Sequence, residues 1–201
     1  MRKLRSDITK HGLSRTPHRA FMRAMGLDDA AIAKPMIGVV SMKGEQTPCN
    51  MTHGFQVEAA KEGVAEAGGT PREFTTISVS DGISMNHEGM KFSLVSRELI
   101  ADSIEAVVHG LAYDGLVGFG GCDKTLPGVM MGMVRCNVPS VFMYGGAALP
   151  GRFGERDVLS GLCLVSRNGK CCCRLRPRSI AERRRRCTVP ARSQHPDQST
   201  H

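Results

Sequence analysis

The chain's organisation is clearest in the stretch Leu116-Val117-Gly118-Phe119-Gly120-Gly121-Cys122-Asp123-Lys124, where an apolar run meets a thiol, a carboxylate and an amine. A short apolar run bounded by glycines is typical of a buried strand. Thiolates bind iron–sulfur clusters, zinc or copper(I), whereas carboxylates suit magnesium, calcium or manganese. We therefore expect a strand whose end carries ligands for two kinds of metal in one pocket.

The same strand pattern recurs along the chain. Short runs rich in apolar and β-branched residues lie at 36–41, 74–80, 116–119 and 140–144. Helical patterns separate them at 55–67, from the candidate N-cap Ser96 to Leu111, and at 127–135. Strands that alternate with helices indicate βαβ units. The predicted fold class is therefore α/β, with a parallel sheet flanked by helices.

The second predicted helix carries an apolar stripe that should bury against the sheet. The stripe consists of Leu99, Ile100, Ile104, Val107, Val108 and Leu111. Gly68 and Gly69 follow the first helix, where a left-handed C-cap residue is favoured. We interpret Met130, Met131 and Met133 of the third helix as packing residues, because Met fills irregular apolar gaps.

Charge and composition divide the chain into three parts. We predict a helical arm at 1–35, an α/β metal-binding domain at 36–158 and a disordered tail at 159–201. Residues 1–158 hold 17 Lys+Arg and 17 Asp+Glu, whereas 159–201 hold 10 and 2, so the net charge of +8 lies in the tail. The tail contains four consecutive arginines at 183–186 but no sustained apolar period. A basic arm that binds nucleic acid in a salt-dependent way is the alternative interpretation.

Cysteine usage and hydropathy indicate the compartment. The eight cysteines form no recognisable disulfide framework, and no run of about 18 apolar residues occurs. The basic start of the chain is not followed by the apolar region of a signal peptide. We expect a cytoplasmic protein with reduced thiols and no membrane partner.

The polar motifs follow the predicted strands. In open α/β sheets, ligands bind beyond the carboxyl ends of the strands. The candidate ligands at that edge are two thiols, two carboxylates and one amine: Cys49, Cys122, Asp81, Asp123 and Lys124. Each also has a simpler interpretation, as a small buried thiol, a turn residue or a solvated amine. Zinc is the competing metal for the two thiols, although no CxxC pair is present. We interpret His53 and His87 as loop histidines.

Together the motifs resemble the dihydroxy-acid dehydratase family, within the wider group that includes sugar-acid dehydratases. The resemblance spans roughly residues 15–158. Its motifs include Thr47-Pro48-Cys49-Asn50, Ser80-Asp81-Gly82-Ile83-Ser84, Ser93-Leu94-Val95-Ser96-Arg97-Glu98, Gly121-Cys122-Asp123-Lys124 and Leu149-Pro150-Gly151.

The resemblance implies an N-terminal α/β domain, a C-terminal β-barrel domain and a homodimer. It implies that Cys49 and Cys122 are ligands of an iron–sulfur cluster, and the Pro-Cys-Asn motif favours the 2Fe-2S branch. It also implies that Asp81, Asp123 and a carbamylated Lys124 bind Mg²⁺. A carbamate is attracted to a divalent cation, whereas an ammonium group is repelled.

The implied activity is that of a hydro-lyase in valine and isoleucine biosynthesis, which converts 2,3-dihydroxy-acids to 2-keto acids. The alternative substrate is a sugar acid of the aldonate type. The resemblance also implies a third cluster cysteine and a serine base in the C-terminal domain, and this chain contains neither motif. We therefore assign no catalytic residue and expect an inactive fragment. The hypothesis for its tail after Val158 is a frameshift or a mistaken gene boundary.

Overall fold

A central parallel sheet organises the first part of the chain. The computed structural model describes residues 3–148, 150–153 and 156–158. Four parallel strands, in the spatial order β2-β1-β3-β4, form the sheet: β1 (Met36–Ser41), β2 (Thr70–Thr75), β3 (Gly115–Gly120) and β4 (Ser140–Tyr144). This confirms the predicted α/β class and places β1, β3 and β4 within a residue of their predicted bounds.

The prediction for the second strand was wrong by about five residues. The strand is Thr70–Thr75 rather than 74–80, and it contains Pro71 and two charged residues. Proline lacks the N–H that an inner strand needs, but β2 lies at the edge of the sheet, where proline is tolerated. Glu73 of this strand pairs with Lys43 and Lys61. Residues 76–80 therefore form the loop that leads to Asp81.

Seven helices lie among the described residues: α1 (Asp7–Lys10), α2 (Thr16–Ala24), α3 (Asp29–Ala33), α4 (His53–Glu66), α5 (Asp81–Ser84), α6 (Lys91–Gly110) and α7 (Thr125–Cys136). In that part of the chain, no helix is both long and apolar enough to cross a membrane. The predicted C-cap of α4 is confirmed. Gly68 has a φ of 83°, and the amide of Gly69 donates to the carbonyl of Val64 at 2.9 Å.

Helices cover both faces of the sheet. On one face, Val57 of α4 packs with Val39 and Phe119. On the other face, α6 and α7 pack on the strands through a larger cluster: Met36, Val40, Met42, Ile100, Ile104, Val108, Tyr113, Leu116, Val129, Met133, Cys136 and Val138. Strands covered on both faces are typical of parallel sheets.

The predicted stripe of α6 is confirmed for Ile100, Ile104 and Val108, which are buried. It was wrong for Leu99 and Leu111, which are about half exposed. The start of α6 was also misplaced, because the helix begins at Lys91 and Ser96 lies inside it. Residues of α6 and α7 together form the core on this face of the sheet, so only part of the α6 stripe is needed to cover it.

Among the predicted packing methionines of α7, Met133 is buried, whereas Met130 is about half exposed. The chain divides into two compact units, Met1–Leu149 and Pro150–His201. In the second unit, β5 (Gly151–Phe153) and β6 (Arg156–Val158) pair in an antiparallel manner. The predicted disordered tail at 159–201 lies outside the described residues.

Candidate metal centre

The loops that follow the strands meet at the carboxyl edge of the sheet. Asp81, after β2, forms an ion pair with Lys124, after β3. Cys49, after β1, lies beside Gly121, the residue before Cys122: a β-carbon at Gly121 would lie 3.5 Å from the β-carbon of Cys49. Gly145, after β4, accepts a hydrogen bond from the hydroxyl of Thr52 at 3.0 Å. Parallel strands bring their carboxyl ends to one edge, so residues far apart in sequence become neighbours.

Two thiols, which are ligands for soft metals, lie at this edge of the sheet. Cys49 lies in a 3₁₀ turn, Pro48–Asn50, and is partly exposed, whereas Cys122 is buried. The hydroxyl oxygen of Thr47 is 3.9 Å from the sulfur of Cys122. Burial raises the pKa of the Cys49 thiol; a hydrogen bond with Thr47 opposes this, whereas Cys122 and Asp123 add to it. A nearby cation would favour the thiolate form that binds metals.

The backbone around Cys122 is held by the neighbouring residues. The hydroxyl of Thr125 accepts hydrogen bonds from the amides of Gly121 at 3.1 Å and Cys122 at 2.8 Å. It also donates to the carbonyl of Cys122 at 3.0 Å. A β-carbon at Gly121 would lie 2.9 Å from the carbonyl oxygen of Cys49, so only glycine permits this close approach. The turn before α7 therefore fixes Cys122 beside Cys49.

A carboxylate and an amine form the second pair of the site. The Nζ atom of Lys124 donates to Oδ2 of Asp81 at 2.6 Å, and the hydroxyl of Ser93 donates to Oδ1. Burial acts to raise the pKa of Asp81, but the hydrogen bonds from Lys124 and Ser93 outweigh it. The pKa of Asp81 therefore lies below its ordinary value, and the carboxylate is ionised at neutral pH.

The thiol pair and the carboxylate–lysine pair fit metals of two kinds. Neither pair provides enough ligands to hold a metal ion by itself. The thiols match a soft metal centre, and the carboxylate matches a hard cation. Asp123 is exposed, but its negative charge adds to the rise in the pKa of the Cys49 thiol. Among the residues that the structure describes, no three His, Cys, Asp or Glu side chains lie close enough to hold a metal ion. The predicted ligands therefore form two partial sets.

Three polar residues at this edge were not predicted from the sequence. Thr47, Ser93 and Thr125 place their hydroxyls against the predicted ligands. Of these, Thr125 had a signal, since hydroxyl side chains are common at helix starts. The description of His53 as a loop histidine was wrong, because His53 begins α4 and is fully buried.

The comparisons with known proteins agree with the resemblance. Residues 34–171 match the family model described as dihydroxy-acid/6-phosphogluconate dehydratase N-terminal. The chain belongs to this family. It is 83% identical over 158 residues to dihydroxy-acid dehydratase 3 of Bradyrhizobium diazoefficiens, a match covering 79% of this chain and 27% of that protein.

Two further relatives give the same result. Dihydroxy-acid dehydratase 2 of Bordetella bronchiseptica is 60% identical over 158 residues, covering 79% of this chain and 28% of the relative. A dihydroxy-acid dehydratase of Pelagibacter ubique is 57% identical over 157 residues, covering 78% of this chain and 27% of the relative. The chain thus spans about a quarter of the length of the curated relatives it matches.

Proposed function

We propose that this chain forms the metal-binding part of a dihydroxy-acid dehydratase, a hydro-lyase that converts 2,3-dihydroxy-acids to 2-keto acids. One observation carries the proposal: two neighbouring thiols lie at the same sheet edge as a buried carboxylate paired with a lysine. The family membership supports it, and the relatives named above are dihydroxy-acid dehydratases. These names favour a dihydroxy-acid over an aldonate as substrate.

In this proposal, Cys49 and Cys122 supply two ligands of a 2Fe-2S cluster. Asp81, Asp123 and Lys124, the last as a carbamate, supply oxygen ligands of Mg²⁺. When bound, such metals supply Lewis-acid chemistry for a departing hydroxyl group and hold a substrate carboxylate. Thr47 and Thr125 help to hold Cys122 in place, the first through its sulfur and the second through its backbone amide. Ser93 holds the carboxylate of Asp81. The proposal also includes a homodimer and a cytoplasmic location, which rest on the family and on composition.

A chimeric enzyme tests this proposal directly. Residues 1–148 of this chain replace the matching segment of the Bradyrhizobium diazoefficiens relative, and the dehydration of 2,3-dihydroxyisovalerate and of an aldonate is measured. We expect activity on the dihydroxy-acid, and at least a 100-fold loss in Cys49→Ser or Cys122→Ser with reduced iron content. Cys136→Ser is the matched control, because Cys136 is a buried cysteine in the core and should keep its iron and activity.

Two results would contradict the proposal. The cluster assignment fails if the Cys49→Ser and Cys122→Ser chimeras bind as much iron and sulfide as the unmodified chimera. The substrate assignment fails if the chimera turns over the aldonate faster than the dihydroxy-acid.

A further inference from the structure

One carboxylate is held from two sides by residues of different elements. Oδ1 of Asp81 accepts a hydrogen bond from the hydroxyl of Ser93, in the first turn of α6, and Oδ2 accepts one from Lys124, which precedes α7. Asp81 is 8% exposed and Ser93 is 1% exposed. The carboxylate therefore has a fixed orientation in a site with little access to water.

Ser93 is held rigidly enough to set this orientation. It lies in a 20-residue helix whose next turns bury Ile100 and Ile104 in the main core. Its carbonyl accepts a hydrogen bond from the hydroxyl of Ser96 at 2.6 Å. The side-chain hydroxyl of Ser93 is thus free of its own helix and directed at Asp81. A hydroxyl that fixes a metal-binding carboxylate commonly affects metal affinity as strongly as a ligand does.

We propose that Ser93 is a positioning residue, which holds one oxygen of Asp81 so that the other is directed toward Lys124, the side on which the proposed cation would bind once Lys124 is carbamylated. This inference rests on the proposed function, because it assigns Asp81 to the cation. The hydroxyl does not contact the cation itself. Its contribution is to remove the rotational freedom of the carboxylate before the cation arrives.

A double-mutant cycle separates positioning from simple packing. Ser93→Ala and Lys124→Met are made singly and together, and the urea midpoint of each variant is measured. Ser93 and Lys124 act on the same carboxylate, so their effects should be non-additive. Ser103→Ala with Lys124→Met is the matched control, because Ser103 is also a serine of α6 but its hydroxyl bonds with Thr76 and the carbonyl of Ile100 rather than with Asp81. We expect the control pair to be additive.

Cation binding gives the second readout. Mn²⁺ replaces Mg²⁺ as the probe, in bicarbonate buffer, and its dissociation constant is measured by electron paramagnetic resonance on the whole chain. We expect Ser93→Ala to weaken Mn²⁺ binding by about 10-fold or more, and Ser93→Thr, which keeps the hydroxyl, to recover most of the loss. Ser103→Ala should leave the dissociation constant unchanged.

The outcomes distinguish this inference from the proposed function. Additive effects of Ser93→Ala and Lys124→Met, or a Ser103→Ala control with the same coupling, overturn the positioning role. Non-additive effects in a chain that binds no Mn²⁺ support the positioning of Asp81 but contradict its proposed cation. Circular dichroism identifies any variant that fails to fold, and Lys124→Gln then replaces Lys124→Met in the cycle.

Discussion

His53 is a buried histidine at the first position of α4, with its ring against Gly121 and Gly145. Neither ring nitrogen has a hydrogen-bond partner among the described residues. Burial lowers the pKa of His53 to about 4. In the unfolded chain, His53 takes up a proton near pH 6.5. In the folded chain, His53 stays neutral until the pH falls to about 4. The contribution of His53 to stability is therefore present above pH 6.5 and is lost as the pH falls toward 4.

The change His53→Leu tests this pH dependence. We expect the wild-type chain to lose about 2 kcal/mol more stability than His53→Leu between pH 7 and pH 4.5. Urea unfolding at several pH values measures the difference. His87→Gln is the control, because His87 is exposed and should leave the profile unchanged. Parallel pH profiles for wild type and His53→Leu would show that His53 is not the responsible group.

At the scale of elements, α6 and α7 are held together by two glycines that allow a close approach. A β-carbon at Gly128 would lie 2.9 Å from the carbonyl oxygen of Arg97 and 2.9 Å from Cγ2 of Ile100. One at Gly132 would lie 3.0 Å from Ile104. The helices therefore cannot both keep their positions if either glycine gains a side chain.

The change Gly128→Ala should destabilise the chain by about 1–3 kcal/mol, because the backbone of α6 cannot move aside cheaply. Gly63→Ala in α4 is the matched control. A β-carbon at Gly63 meets nothing within 4 Å, so its helix propensity should stabilise by roughly 0.5–1 kcal/mol. Denaturant unfolding compares the two variants. A stabilising Gly128→Ala would show that the two helices are not closely packed there.

At the scale of the whole molecule, the sheet has an apolar edge. β4 pairs only with β3 in the described sheet, and Val141, Met143 and Tyr144 are each about half exposed. An exposed apolar edge strand favours association between chains through its unpaired backbone groups. We expect the chain to associate increasingly as its concentration rises.

The change Val141→Lys should reduce this association at least several-fold, as measured by light scattering over a concentration series. A charge on an edge strand opposes strand pairing. Val134→Lys is the control, because it makes the same change at an exposed valine of α7 rather than on the strand edge. Equal effects of the two lysines would indicate that net charge, and not the edge strand, controls association.

The sequence by itself determined the α/β class, three of the four strands and the sheet edge at which the candidate ligands meet. These features depend on local patterns, namely apolar runs of strand length, helical spacing between them and polar motifs that follow each strand. The motifs around Cys49, Asp81 and Cys122 were also sufficient for the family resemblance. The roles of these residues as metal ligands remain predictions.

Only the tertiary structure decided the features that depend on contacts between distant residues. The edge position of β2 lets Pro71 lie in a strand, and Leu99 stays about half exposed although it belongs to the apolar stripe of α6. Ser93 reaches Asp81 because α6 begins at Lys91, before the predicted N-cap Ser96, so that Ser93 lies in its first turn. Local periodicity carries no information about such pairings, since each one is set by the packing of elements that lie far apart along the chain.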